Sequence, residues 1–209
     1  MLFKDNSLKD IAISHVNTTM CNHFRKDFTC FHLVDYDPST GEVRHKETVQ
    51  GYADNSSWAR GQAWALYGYT MMFRLTGYEC YLRQAENIAD MLMVRLPEDG
   101  IPYWDFDAPG IPDEPRDASA AAVMASAFVD LSSLTTAEPN KRRYMCMAEK
   151  QLRTLASDEY LAVPGENCNF ILKHSVGSLP DGNEVDVPLS YADYYFLEAL
   201  MKYKTHNYN

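Results

Sequence analysis

The sequence has no clustered basic surface. Its longest basic run is Lys141-Arg142-Arg143, and 19 Lys and Arg stand against 29 Asp and Glu, for a net charge of −10 over 209 residues. Nucleic-acid binding needs grouped cations to neutralise phosphates, so it is not expected. No apolar run approaches the roughly 18 residues that cross a bilayer, so no membrane helix is expected either. The stretch Met1-Leu2-Phe3-Lys4-Asp5-Asn6 lacks the basic-then-apolar layout of a secretory leader. Cysteine is sparse: Cys21, Cys30, Cys80, Cys146 and Cys168 are odd in number, scattered and without a CxxC pair. That excludes a disulfide framework and a zinc pattern, and leaves free, mostly buried thiols as the expectation. P-loop, GxSxG, HExxH and GxGxxG motifs are all missing.

What is present is a globular composition, 46% apolar and 23% charged, enough to bury a core. Six helical segments alternate in character. Residues 7–24 carry Leu8, Ile11, Ala12, His15, Val16 and Met20 on one stripe, which predicts one solvent face. Residues 59–75 are apolar nearly all round, as in a helix buried on every side. Residues 79–95 return to a stripe through Leu82, Ala85, Ala89, Leu92 and Leu96. Residues 117–135 are apolar and rich in Ala and Ser, which lets neighbours approach closely. Residues 141–156 are amphipathic and charged, and 189–204 are aromatic on several faces. The order outer, inner, outer, inner, outer, inner predicts three helical hairpins, each giving one helix to a central ring. Their spacing is too irregular for the common solenoids. The predicted class is therefore all-α, a partial (α/α)6 toroid with three hairpins of six, one incomplete domain over 1–209. Half a ring leaves a flank of inner-helix surface open, a place for self-association. Short links fall near Thr76-Gly77 and Glu138-Pro139-Asn140. Long links fall at 25–58, 97–116 and 157–188, and long loops on one side of a rigid scaffold are where sites are usually built.

Three of these loop segments carry candidate chemistry. Between Gln50 and Trp64, the side chains of Asp54 to Ser57 are candidate N-caps for a helix starting near Trp58. Arg60 then falls in the first turn with Trp64 four residues on. Guanidinium, free backbone N–H groups and the helix dipole together suit an anion, and Trp64 offers a flat wall for a sugar ring. Gly61 removes a side chain where close approach is needed. Upstream, Asp37-Pro38-Ser39-Thr40-Gly41 reads as the turn of a short hairpin, with His32 at its base as a partner for hydroxyls. In the third segment Asp105 and Asp107 are two carboxylates on an extended stretch, where alternation puts both on one side. Asp117 is better read as a helix cap. For each there is a plain structural alternative: core tryptophans, a structural histidine, solvated acids.

In this order the residues resemble the unsaturated glucuronyl hydrolases of glycoside hydrolase family 88. The likeness runs from Ile11–Thr19 through His32 to the Gln50–Trp64 block, then through Pro102–Phe106 and Arg116–Ala121, and ends in His174–Gly177 and Glu184–Tyr195. Unsaturated rhamnogalacturonyl hydrolases share fold and reaction but match less well. The resemblance implies an (α/α)6 barrel in a chain about double this one. It also implies action on oligosaccharides that end in a Δ4,5-unsaturated uronic acid, with no metal or organic cofactor. In that reaction an aspartic acid protonates the vinyl ether at C4, water adds at C5, and the resulting hemiketal opens. Carried onto this sequence, His32, Gln50, Trp58, Arg60 and Trp64 line the sugar pocket. Neither of the family's two pocket aspartates has a counterpart here, so the catalytic residues are unassigned. The chain then reads as the C-terminal half, its first residues already inside a helix, with a non-catalytic binding remnant as the alternative. Cytoplasmic and periplasmic placement both stay open.

Overall fold

The computed structural model describes residues 6–208. Its elements in chain order are α1 (Asn6–Asn22), β1 (Leu33–Tyr36), β2 (Val43–Glu47), α2 (Ala59–Thr76), α3 (Glu79–Arg95), α4 (Ala118–Leu134), α5 (Glu138–Leu155), β3 (Ser175–Ser178), β4 (Asn183–Val187) and α6 (Ser190–Tyr208). The core is all-α. The strands form two separate antiparallel hairpins, β1–β2 and β3–β4, each with a register irregularity. No helix among the described residues is long and apolar enough to cross a membrane.

Helix α4 is the centre of the molecule. Nearly every side chain from Ala118 to Ser132 is buried, because Ala and Ser let α2, α5 and α6 close in on different sides. Asp117 caps it, accepting from the Ser119 N–H at 3.0 Å. The inner row is α2, α4, α6, with α3 behind α2 and α5 behind α4. Leu82, Ala85, Ala89 and Leu92 of α3 are buried in the larger core, as their stripe predicts. The arrangement is an open segment of an α/α toroid, and the ring is not closed.

Short connections pair α2 with α3 and α4 with α5. The first ends on Gly77, left-handed at φ 72°, whose N–H returns to the Phe73 carbonyl. Helices α1 and α6 stand at the two ends of the row without a hairpin mate, so two hairpins form rather than three. Helix α5 begins three residues earlier than its charge pattern predicts, because Pro139 sits in the first turn, where its missing N–H costs nothing. The stripe predicted for α1 is turned outward: Leu8 and Ile11 are 57% and 64% exposed. The helix leans instead on Ile13, Val16 and Met20. Val16 and Asn17 accept hydrogen bonds from the buried Tyr69 (3.1 Å) and Tyr81 (2.9 Å) hydroxyls. Helix α2 is not buried all round either, since Leu75 is exposed and Trp64, Gly68 and Met71 are only half-covered. All five cysteines are free, but only Cys30 is buried, where desolvation pushes its thiol up to about 12.

Candidate functional site

The three long links meet at the amino ends of the inner helices. Backbone from 102–108 is laced to the start of α2: the Ala59 N–H donates to the Trp104 carbonyl at 3.0 Å, and the Phe106 N–H to the Ser57 carbonyl at 3.1 Å. The start of α4 is tied to the third link, with the Ala118 N–H donating to the His174 carbonyl at 3.0 Å. Asp54–Ser57 do not cap α2 with their side chains. Trp58 is the N-cap residue and has no side-chain cap bond. The Ser56 hydroxyl is engaged with the Asp105 carboxylate and the Ala53 carbonyl instead.

Arg60 is 3% exposed. Its guanidinium donates to the Val176 carbonyl and, at 2.8 Å, to the Gly177 carbonyl, and lies 3.3 Å from the Asp117 carboxylate. The Trp58 ring centroid is 4.6 Å from Cζ and that of Tyr191 is 5.3 Å away. The charge that the sequence offers to an anion is thus covered and countered by Asp117. Gln50 joins the same cluster, donating from Nε2 to the Gly177 carbonyl at 3.1 Å. Gly61 meets its expectation: an added Cβ would stand 3.0 Å from Cε3 of Trp58, closing the space the indole occupies.

His32 lies over Trp58 with ring centroids 4.3 Å apart. Its Nδ1 accepts from the N–H groups of Val49 (3.1 Å) and Gln50 (3.2 Å). In the neutral ring the proton is then on Nε2, which has no protein partner among the described residues and can donate to a ligand. Burial, then the nearby Arg60 charge, depresses the His32 pKa below its ordinary 6.5. His23 is depressed too, by burial and then by Lys46 and His15. Above pH 6.5 both rings are neutral folded or unfolded, so neither makes stability depend on pH. As pH falls below 6.5 the unfolded chain takes up protons first, and stability declines until the folded rings titrate. Unfolding free energy is expected to be lower at about pH 5.5 than at about pH 7.5, with His32→Gln reducing the difference. An unchanged difference in the variant would remove His32 from the effect.

Between α1 and α2 runs a cavity of about 670 Å³, and at its loop end His32, Trp58 and Trp64 share the lining with His23. Trp64 is held edge-on to Tyr195, centroids 5.1 Å apart. The structure therefore gathers His32, Trp58 and Trp64 around one cavity, and places Gln50 and Arg60 against the hairpin carbonyls beside it. The two loop acids do not face one side together. Asp105 is 0% exposed and accepts from the Tyr52 and Asp107 N–H groups (2.9 Å each) and the Ser56 hydroxyl (2.6 Å). Asp107 points outward to Arg95 at 2.5 Å.

No protein-family model matches the chain. It is 48% identical over 200 residues to an unsaturated glucuronyl hydrolase of Formosa agariphila, covering 95% of this chain and 49% of that protein. The crystal structure of an unsaturated glucuronyl hydrolase specific for heparin aligns with TM-score 0.92 and 52% identity, over 95% of this chain and 53% of that one. That of the Bacillus sp. GL1 unsaturated glucuronyl hydrolase, responsible for glycosaminoglycan degradation, aligns with TM-score 0.89 and 31% identity, over 95% and 52%. The chain is a homologue of the unsaturated glucuronyl hydrolases. It spans about half the length of the curated relatives it matches. In this glucuronyl hydrolase homologue, sequence reasoning missed Tyr191, the Val176 and Gly177 carbonyls, and the second role of Asp117 as counter-ion to Arg60. Asp117 was visible only as a cap. Tyr191 lies in the aromatic run that opens α6, but nothing in that run points to Arg60.

Proposed function

We propose that this chain is the C-terminal half of an unsaturated glucuronyl hydrolase, supplying one wall of a pocket for a terminal Δ4,5-unsaturated uronic acid. In the completed pocket a carboxylic acid from beyond these 209 residues protonates C4, water adds at C5, and opening of the hemiketal releases the rest of the oligosaccharide. Within this chain, Trp64 offers a ring face to the sugar, Trp58 backs the His32 ring, and His32 donates Nε2–H to a hydroxyl. Gln50 keeps its side-chain oxygen free as an acceptor. Arg60 holds the β3–β4 carbonyls and the Trp58 ring in place. The observation that carries this reading is that His32, held over Trp58, and Trp64 share the lining of one cavity, in a homologue of these hydrolases.

Trp58 and Trp64 are two of only three tryptophans, so intrinsic fluorescence reports the wall directly. Titration with an unsaturated uronyl disaccharide is expected to change the emission, Trp64→Phe to diminish the change, and His32→Ala to weaken binding about five-fold, as for one hydrogen bond. An equal response to the saturated disaccharide, or none to either, would reject the reading. A second reading, a carbohydrate-binding remnant without turnover, is favoured by one observation: Asp105 and Asp117 have their oxygens engaged inside the protein.

A further inference from the structure

We infer that Glu198 is a positioning residue for the sugar wall: gripped by Lys202 and Ser126, it holds the Tyr67 hydroxyl, and through Tyr67 and Tyr195 it sets the angle of the Trp64 ring. Tyr195, Glu198 and Lys202 stand at i, i+3, i+7 on α6, Trp64 and Tyr67 at i, i+3 on α2, and Ser126 and Asp130 at i, i+4 on α4, so each set shares one face of its helix. Lys202 Nζ donates to Ser126 Oγ and Asp130 Oδ2 at 2.8 Å each and to Glu198 Oε2 at 3.0 Å. That uses all three ammonium hydrogens. Ser126 donates in turn to the same Glu198 oxygen, and Asp130 also receives Arg74 at 2.8 Å. Glu198 Oε1 is left for Tyr67, whose hydroxyl donates to it at 3.2 Å. Burial pushes the Glu198 carboxyl up, but the bonds from Ser126, Lys202 and Tyr67 bring it below its ordinary value, so the acceptor stays charged.

The rings carry this hold to the cavity. Tyr195 lies between Trp64 and Tyr67, with centroids 5.1 Å and 5.2 Å away and interplanar angles of 69° and 79°. Both are the edge-to-face arrangement that ring quadrupoles favour. Lys202 Nζ is 5.1 Å from the Tyr67 ring centroid, so Tyr67 is held at its ring as well as at its hydroxyl. Trp64, Tyr67 and Tyr195 are only half-buried. A half-covered indole has rotamers to choose among, and the edge of Tyr195 selects one. Charged groups placed inside a fold add little stability over apolar residues of the same volume. What this set adds is direction: a hydrogen bond fixes the plane of Tyr67, and two edge contacts pass it to the cavity wall. The inference deepens the reading of Trp64 as a sugar wall, and rests on that reading only for its effect on binding.

Near-ultraviolet circular dichroism of the ligand-free chain tests it, each spectrum less that of its Trp64→Phe counterpart, which isolates the Trp64 band. Tyr67→Phe removes one oxygen and Glu198→Ala the whole link. Both are expected to lose most of the band and to weaken binding of an unsaturated uronyl disaccharide about three-fold, as for one aromatic contact. If Glu198→Ala does not fold, Tyr67→Phe decides alone. Glu198→Gln also loses the charge that pairs with Lys202, but its amide bonds the Tyr67 hydroxyl in either orientation, because a phenol both donates and accepts. It is expected to keep the Trp64 band and the binding while unfolding at lower urea. A loss in Glu198→Gln equal to that in Glu198→Ala would assign the effect to the ion pair and overturn the inference. So would a Trp64 band unchanged in Tyr67→Phe, or a lost band with binding undiminished. A wild-type chain that binds no disaccharide rejects the sugar reading alone, and the ligand-free spectra still decide whether Glu198 sets the ring.

Discussion

Asp117→Ala is expected to lower the unfolding free energy by about 3–5 kcal/mol, the range for removing one partner of a buried ion pair. One carboxylate does several jobs. Oδ1 accepts the Ser119 N–H at 3.0 Å and its hydroxyl at 2.5 Å, which fixes the first turn of α4. The same oxygen receives the Val176 N–H at 3.4 Å. Oδ2 stands 3.3 Å from the Arg60 guanidinium, and the two side chains are 0% and 4% exposed. Alanine removes a cap worth about 1 kcal/mol and leaves a buried cation facing only neutral carbonyl and hydroxyl oxygens. Asn keeps one oxygen for Ser119 but loses the charge and sets an NH2 donor toward the Arg60 guanidinium, so Asp117→Asn is expected to keep the cap, lose the ion pair and fall between alanine and wild type. Urea unfolding followed by circular dichroism measures both. Asp107→Ala is the control, since its pair with Arg95 is partly solvated and such pairs are worth about 0–1 kcal/mol. Equal losses for Asp107→Ala and Asp117→Ala would show that the Arg60 cluster does not anchor α4.

The sequence-visible parts of this architecture are the ones governed by local physics. The stripe of α3, the small-residue α4, the Gly77 stop and the Asp37–Gly41 turn each depend on residues within a few positions, and each forms where its pattern puts it. Three features depend on distant residues and were not legible. The cap of α2 comes from the Trp104 carbonyl rather than from Asp54–Ser57. The outward turn of Leu8 and Ile11 follows from where α1 meets Tyr69 and Tyr81, which no stripe encodes. The β3–β4 hairpin hides in a stretch where His174, Glu184 and Asp186 all take positive φ, a conformation that ordinary strand propensities disfavour. The site divides in the same way. His32, Trp58 and Trp64 meet at one cavity, from a loop, the residue before α2 and its second turn. The partners that cover Arg60 lie more than a hundred residues away in Val176 and Gly177.

The other large expected effect is on rate: on the proposed reading, the 209-residue chain consumes no unsaturated disaccharide above background. General acid–base catalysis is worth about 10²–10⁴-fold and needs a carboxyl group that touches the substrate. Asp105 has no exposed surface, and its oxygens are occupied by Tyr52, Asp107 and Ser56. Asp117 is equally buried against Arg60. Asp107 reaches solvent but is paired with Arg95 on the outer side of the 102–108 loop. Loss of the substrate's conjugated enol-ether absorbance is the direct assay. Steady loss with pure chain, abolished by Asp107→Asn, would place the acid in this half and overturn the reading that it lies elsewhere. Asp105→Asn is less informative for rate, since it also removes an acceptor that three donors share and so perturbs the Gly51–Trp58 turn itself. A silent chain that gains activity when the N-terminal half of a homologue is supplied would separate the two roles. This chain would then hold the sugar with Trp64 and His32, and the added half would deliver the proton.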